Sequence, residues 1–157
     1  MTRRGLLLTL TEPPAAMEEE FNAWYDTEHL PERLSIAGFR SARRWVADVA
    51  PGQGKYLATY ELESVAVLDS PAYLSFYQEP TPWSRRCLGK AVVFKRWACE
   101  QADPGGADAH PDAVAVMFNG IAPNSLQTRR FIATTGESIV LCELSTPGKL
   151  AYRLYGT

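Results

Sequence analysis

The chain has no long apolar run. Its longest is the six residues Ala113-Val-Ala-Val-Met-Phe118, far short of the roughly 20 residues that cross a bilayer as a helix. Arg3 and Arg4 near the start are not followed by a signal-peptide core, so no membrane is expected and the expected location is cytoplasmic. Cysteine is scarce: Cys87, Cys99 and Cys142 are odd in number, far apart and in no CxxC pair. This argues against a disulfide framework or a zinc site and leaves them as core or surface thiols. A basic excess is also missing, since the net charge is −2, and with it the electrostatic footprint of nucleic-acid binding. There is no GxGxxG, P-loop or GxSxG, so nucleotide cofactors and serine hydrolysis are unsupported.

What is present is an ordinary globular composition, 46% apolar and 22% charged over 157 residues, enough for one domain or two small subdomains. The stretch 17–39 stands out because it carries one of only two histidines. Projected at 100° per residue, Met17, Phe21, Trp24 and Tyr25 share an apolar face, with Glu19, Asn22 and Asp26 opposite. Glu28 then lands in the middle of the apolar stripe and His29 at its edge. A carboxylate and an imidazole are costly to bury there unless bonded or paired. Such a conflict between pattern and residue type is where a site is expected. The spacing predicts a helix to about His29, broken by Pro31, then a further turn to about Ile36 ended by Gly38.

The rest of the first hundred residues reads as strands over 5–10, 39–49, 55–62 and 91–100, with 51–54 as a hairpin turn. Ser70-Pro71 and Thr81-Pro82 each give an N-cap followed by Pro at the first helical position, so two short helices are predicted. The order β-α-β-β-α-β predicts an α+β, ferredoxin-like unit over 1–101, one sheet face covered by helices and the other needing a partner. Residues 102–112 are a Gly/Pro-rich linker. Residues 113–157 read as a reduced, mainly antiparallel β second copy that packs on the first. Within it Gln127-Thr-Arg-Arg-Phe and Glu143-Leu144 repeat Ser41-Ala-Arg-Arg-Trp and Glu61-Leu62.

Phe21-Asn-Ala-Trp-Tyr-Asp-Thr-Glu-His-Leu-Pro31, followed by Ala37-Gly-Phe-Arg40 and Arg43-Arg-Trp45, resembles the dimeric α+β barrel superfamily, most closely its EthD-like proteins. Ser70-Pro-Ala-Tyr73 and Pro80-Thr-Pro-Trp-Ser-Arg-Arg86 are similar to uncharacterised bacterial members, and the resemblance covers about two thirds of the chain. It implies a unit whose sheet packs on a second sheet, usually from another protomer, with a small-molecule pocket between sheet and helices. It also implies the superfamily's range of chemistry: isomerases, cyclases, dehydratases, cofactor-free oxygenases and haem peroxidases. By the same resemblance His29 is the catalytic candidate, with Asp26 and Glu28 at the acidic positions. A homodimer is implied, unless the second unit replaces the partner sheet.

As a titratable group near neutrality, His29 is either a general acid or base or a helix-end cap. Glu28 either orients it or faces solvent, and Asp26 is a structural partner for Arg33 or Arg40. Tyr73 and Tyr77 are placed to polarise a substrate oxygen, with Trp24, Tyr25, Phe76 and Trp83 as substrate-binding wall or plain core. Arg44 lies on the covered sheet face and would hold an anionic group or a protein carboxylate. Arg129 and Arg130 are the corresponding arginines of the second unit, and His110 is read as a solvated linker residue. No metal set is expected, since His29, Glu32 and Asp26 form only a loose group. The expected function is cofactor-independent proton transfer on an apolar carbonyl or phenolic substrate, as an isomerase, cyclase, dehydratase or other lyase. The alternatives are an oxygenase, with haem held by His29 or cofactor-free, and a non-catalytic ligand-binding or assembly module.

Overall fold

The structure, a computed structural model, describes residues 3–103, 111, 113–118, 125–144 and 151–155. Most of the 102–112 linker, with His110, lies outside them. Eight strands form one closed antiparallel barrel in the order β1-β3-β2-β8-β5-β7-β6-β4. They are β1 (Gly5–Glu12), β2 (Phe39–Val46), β3 (Tyr56–Leu62), β4 (Val93–Gln101), β5 (Ala113–Met117), β6 (Ser125–Ala133), β7 (Ser138–Leu144) and β8 (Tyr152–Leu154). The chain is thus α+β, and its barrel is completed by strands of the same chain.

The two halves of the barrel follow one plan. The first runs β2-β3-β1-β4 and the second β6-β7-β5-β8. Trp45 pairs with Leu57 as Phe131 pairs with Ile139, and Ser41 with Glu61 as Gln127 with Glu143. Each half also has a bulge at the same place, Phe39/Ser41 in one and Ser125/Gln127 in the other. At the two seams Trp45 meets Leu154 and Phe131 meets Gln101.

Side chains alternate across the sheet, so its two faces feed two cores. Leu6, Leu8, Trp45, Leu57, Cys99, Phe131 and Ile139 fill the barrel interior, as an eight-stranded barrel permits. On the outer face of the first half, Leu7, Ala58, Tyr60 and Leu62 pack against Phe21, Trp24, Tyr25, Tyr73 and Cys87 of the helices. This explains Leu6-Leu7-Leu8: β1 is buried on both sides along this stretch, so successive positions are apolar. The bulge in β2 lies between Phe39 and Ser41. It turns Phe39 to the helix side, away from Trp45, because an extra residue shifts the side-chain phase.

The helices are α1 (Glu18–Trp24), α2 (Leu30–Leu34), α3 (Pro71–Gln78) and α4 (Pro82–Gly89). Ser70 and Thr81 cap the last two as expected, accepting from the Tyr73 and Ser84 amides. Pro31 does not break the first helix. A π turn over Tyr25–His29 joins α1 to α2 without interruption. All three cysteines are buried and none is in a disulfide, and burial pushes the Cys87 thiol up to about 11 and the Cys99 thiol to about 12, so both stay protonated and inert. No helix among the described residues is long and apolar enough to cross a membrane.

Candidate active site

The π turn has a local cause. Proline at position 31 has no N–H for the carbonyl of Thr27, and its ring would crowd that carbonyl in a regular α-helix. The Thr27 hydroxyl donates back to the Ala23 carbonyl at 2.6 Å, which also loosens the ladder. The helix widens, and the Leu30 amide donates five residues back to Tyr25. Single π turns of this kind are frequent at functional sites. Here Trp24, Tyr25 and His29 are all turned inward.

His29 is held by rings. It stacks on Trp24 with centroids 4.5 Å apart and meets the edges of Tyr25 and Tyr60 at 4.9 and 6.4 Å. Its Nδ1 is buried with no hydrogen-bond partner among the described residues. Burial holds the imidazole well below the usual histidine value, and the Arg33 and Arg44 guanidiniums add to that shift. It is therefore neutral at pH 7.

A cavity of about 50 Å³ adjoins it, lined by Leu7, Thr9, Tyr25, His29, Arg33, Tyr60, Tyr73, Tyr77, Leu88, Phe94 and Arg96. Tyr60, on the helix-covered face of β3, also buries its hydroxyl without a partner among the described residues. Burial raises its pKa well above that of an ordinary phenol. The neighbouring Tyr25 phenol acts on it in the same direction without reaching hydrogen-bond geometry, and Tyr25 itself lies 3.3 Å from the Thr9 hydroxyl. Arg33 is buried and pairs with Glu32 at 3.1 Å, whose carboxyl is raised by burial against the pull of Arg33. Arg96 donates to the Tyr73 hydroxyl at 2.9 Å, and Tyr73 stacks on Tyr77.

The structure therefore gathers His29, Tyr25, Tyr73 and Tyr77 around one space, and leaves the other expected residues outside its lining. Arg44 is on the covered face and buried, but it donates to Asn22 at 2.8 Å and Asp26 at 3.4 Å and lies over the rings of Tyr25, Tyr56 and Tyr155. Asp26 thus pairs with Arg44, where Arg33 or Arg40 was expected. Glu28 neither orients His29 nor faces solvent. Its carboxylate accepts from the Trp24 indole at 3.1 Å and the Thr81 hydroxyl at 2.8 Å, tying the π turn to the start of α4. Phe76 and Trp83 pack at the edge of the helix-side core. Tyr60, Arg33 and Arg96 were missed. The signal for Tyr60 was its strand parity with Ala58 and Leu62, which puts it under the helices.

The barrel interior holds a second buried polar group. Arg129 bonds Glu61 through two nitrogens at 2.8 Å and Glu143 at 2.8 Å. Burial opposes its charge, but Glu61 and Glu143 more than offset this, so it stays ionised. An open groove of about 680 Å³ shares no lining residue with the His29 cavity. The charges along it are engaged: Glu12 accepts from the Gly52 and Gly54 amides, and Glu18 pairs with Lys55. Among the described residues no group of three metal-ligating side chains occurs. Haem held by His29 does not fit, because the imidazole lies against Trp24 and the adjoining space is that of one or two waters.

No family model matches the chain. Over 81 residues, 50% of this chain and 34% of the other, it is 35% identical to core atranone cluster (CAC) protein 1 of Stachybotrys chlorohalonatus. The chain thus spans about a third of the length of that curated relative. Among solved structures it is similar to an ethyl tert-butyl ether d (EthD) family protein from Bacillus halodurans C-125, with a TM-score of 0.45 and 12% identity over 59% of this chain and 95% of that one.

Proposed function

We propose that the chain is a cofactor-independent enzyme that moves a proton on a small carbonyl or phenolic compound, as an isomerase, cyclase, dehydratase or other lyase. The observation that carries this reading is the pair of buried, unpartnered polar atoms, His29 Nδ1 and the Tyr60 hydroxyl, on two residues lining one cavity. A buried polar atom without a partner costs about 1–3 kcal/mol, and a ligand oxygen or proton would supply what each lacks. Neutral His29 takes a proton from the carbon beside a carbonyl. The electron pair of that C–H bond moves into the enol, and the carbonyl oxygen, gaining charge, accepts a hydrogen bond from Tyr60. Tyr60 stays protonated because burial raises its pKa, so it serves as donor. The imidazolium forms in a place that disfavours charge, so it readily returns the proton to another carbon or to a leaving group.

The cavity admits the reacting head of a ligand, and the half-exposed Tyr77 and Phe94 at its rim would take the apolar remainder. The relative named for a core cluster also supports a small-molecule role. For architecture, the order β2-β3-β1-β4 with helical crossovers supports a ferredoxin-like unit over 1–101. The recurrence of order, register and bulge supports 113–157 as a reduced copy in the place of a partner sheet.

The test is deuterium exchange from D₂O into a panel of small ketones and phenols, followed by proton NMR. His29→Gln is expected to lower the catalysed exchange by about 10²- to 10⁴-fold with an unchanged circular dichroism spectrum. Exchange at the wild-type rate in that variant would end the proposal.

A further inference from the structure

We propose that the ligand of this cavity is a monoanion whose negative group is received by Arg96. The inference rests on the proton-transfer reading and narrows it to carbonyl compounds that also carry a carboxylate or an ionised enol. Arg96 lies on β4 directly opposite Thr9 of β1, on the sheet face beneath the helices. One of its nitrogens donates to the Tyr73 hydroxyl at 2.9 Å, and its guanidinium carbon is 5.0 Å from the centre of the Tyr77 ring. A guanidinium has five N–H donors, and the Tyr73 hydroxyl accepts from one of them.

No carboxylate among the described residues pairs with Arg96. The other cation of the cavity, Arg33, has Glu32, and the buried arginines elsewhere have theirs: Asp26 for Arg44, Glu61 and Glu143 for Arg129. The residues lining the cavity include two arginines and no acid, and its histidine is neutral. The field there therefore favours a negative ligand and opposes a cationic one. Arginine also matches a carboxylate in shape, since its planar fork can donate two parallel hydrogen bonds. A ligand with an oxygen for Tyr60, an anion for Arg96 and an apolar body over Tyr77 and Phe94 suits these lining residues.

Phenylpyruvate has all these parts, and its methyl ester lacks only the charge. Binding of the two is compared by titration calorimetry on the full chain. The acid is expected to bind about 10- to 100-fold more tightly than the ester. Arg96→Gln should erase that preference with little change for the ester, and Arg96→Lys, which keeps the charge, should retain part of it. Equal binding of acid and ester by the wild-type protein, no binding of either, or a preference that survives in Arg96→Gln would overturn the inference. The proton-transfer reading fails separately: His29→Gln should lose exchange yet keep the preference for the acid, and exchange that persists in His29→Gln ends that reading while leaving Arg96 its role.

Discussion

His29 and Arg129 are exposed to the same small degree, 6% each, yet they are buried in opposite ways. Arg129, inside the barrel, meets Glu61 and Glu143 at 2.8 Å, and only its Nε lacks a partner. His29, outside the barrel and under the helices, has Trp24 against its face and no hydrogen bond at Nδ1. The interior cluster joins β3 of the first half to β6 and β7 of the second, so its polar atoms other than the Arg129 Nε are satisfied by the fold itself. In the cavity, His29 Nδ1 and the Tyr60 hydroxyl find no partner among the described residues. On the proposed function, stability and function occupy different faces of one sheet, and substitutions on the two faces are expected to act in opposite directions.

The largest effect is expected in the interior. Arg129→Met leaves Glu61 and Glu143 buried without a counter-charge, and it should lower the free energy of unfolding in urea by about 3–5 kcal/mol. A loss below 1 kcal/mol would mean that the cluster is hydrated and the contrast with the cavity is false.

A smaller effect is expected from pH. His29 has a folded pKa well below 6.5, so under acid conditions the unfolded chain binds a proton that the folded chain refuses. Stability from this source is fully present above about pH 6.5. It falls as the pH drops below that value, by at most about 1.4 kcal/mol per unit. His29→Leu should flatten the slope between pH 6.5 and 5, where most carboxylates have yet to titrate. An unchanged slope would place the imidazole in water.

Part of this site could be read from the residues alone. His29 was visible because an imidazole and a carboxylate interrupt an apolar helical stripe, and that conflict is local. Pro31 was visible as a disturbance but not as a π turn, since a missing N–H states the cost and leaves open whether the helix stops or widens. Arg44 was rightly placed on the covered face, but its partners come from a helix 18 and 22 residues away, and pairing at that distance has no sequence signature. Tyr60 and Arg96 look like ordinary strand residues. They reach the cavity lining because β3 and β4 both flank β1 and turn these side chains to the helix side, a fact of tertiary pairing. The strand pair within 127–144 was legible through its likeness to 41–62, down to the paired arginines and the Glu-Leu ending.

The central claim is that the cavity's unpartnered atoms are kept for a ligand at the expense of the fold. Tyr60→Phe tests it most directly, because the change removes one buried hydroxyl and nothing else. Urea unfolding of the ligand-free variant should show a midpoint raised by the equivalent of about 1–3 kcal/mol with an unchanged slope, while the catalysed deuterium exchange falls. A variant less stable than the wild-type protein, or one that exchanges as fast, would contradict the account.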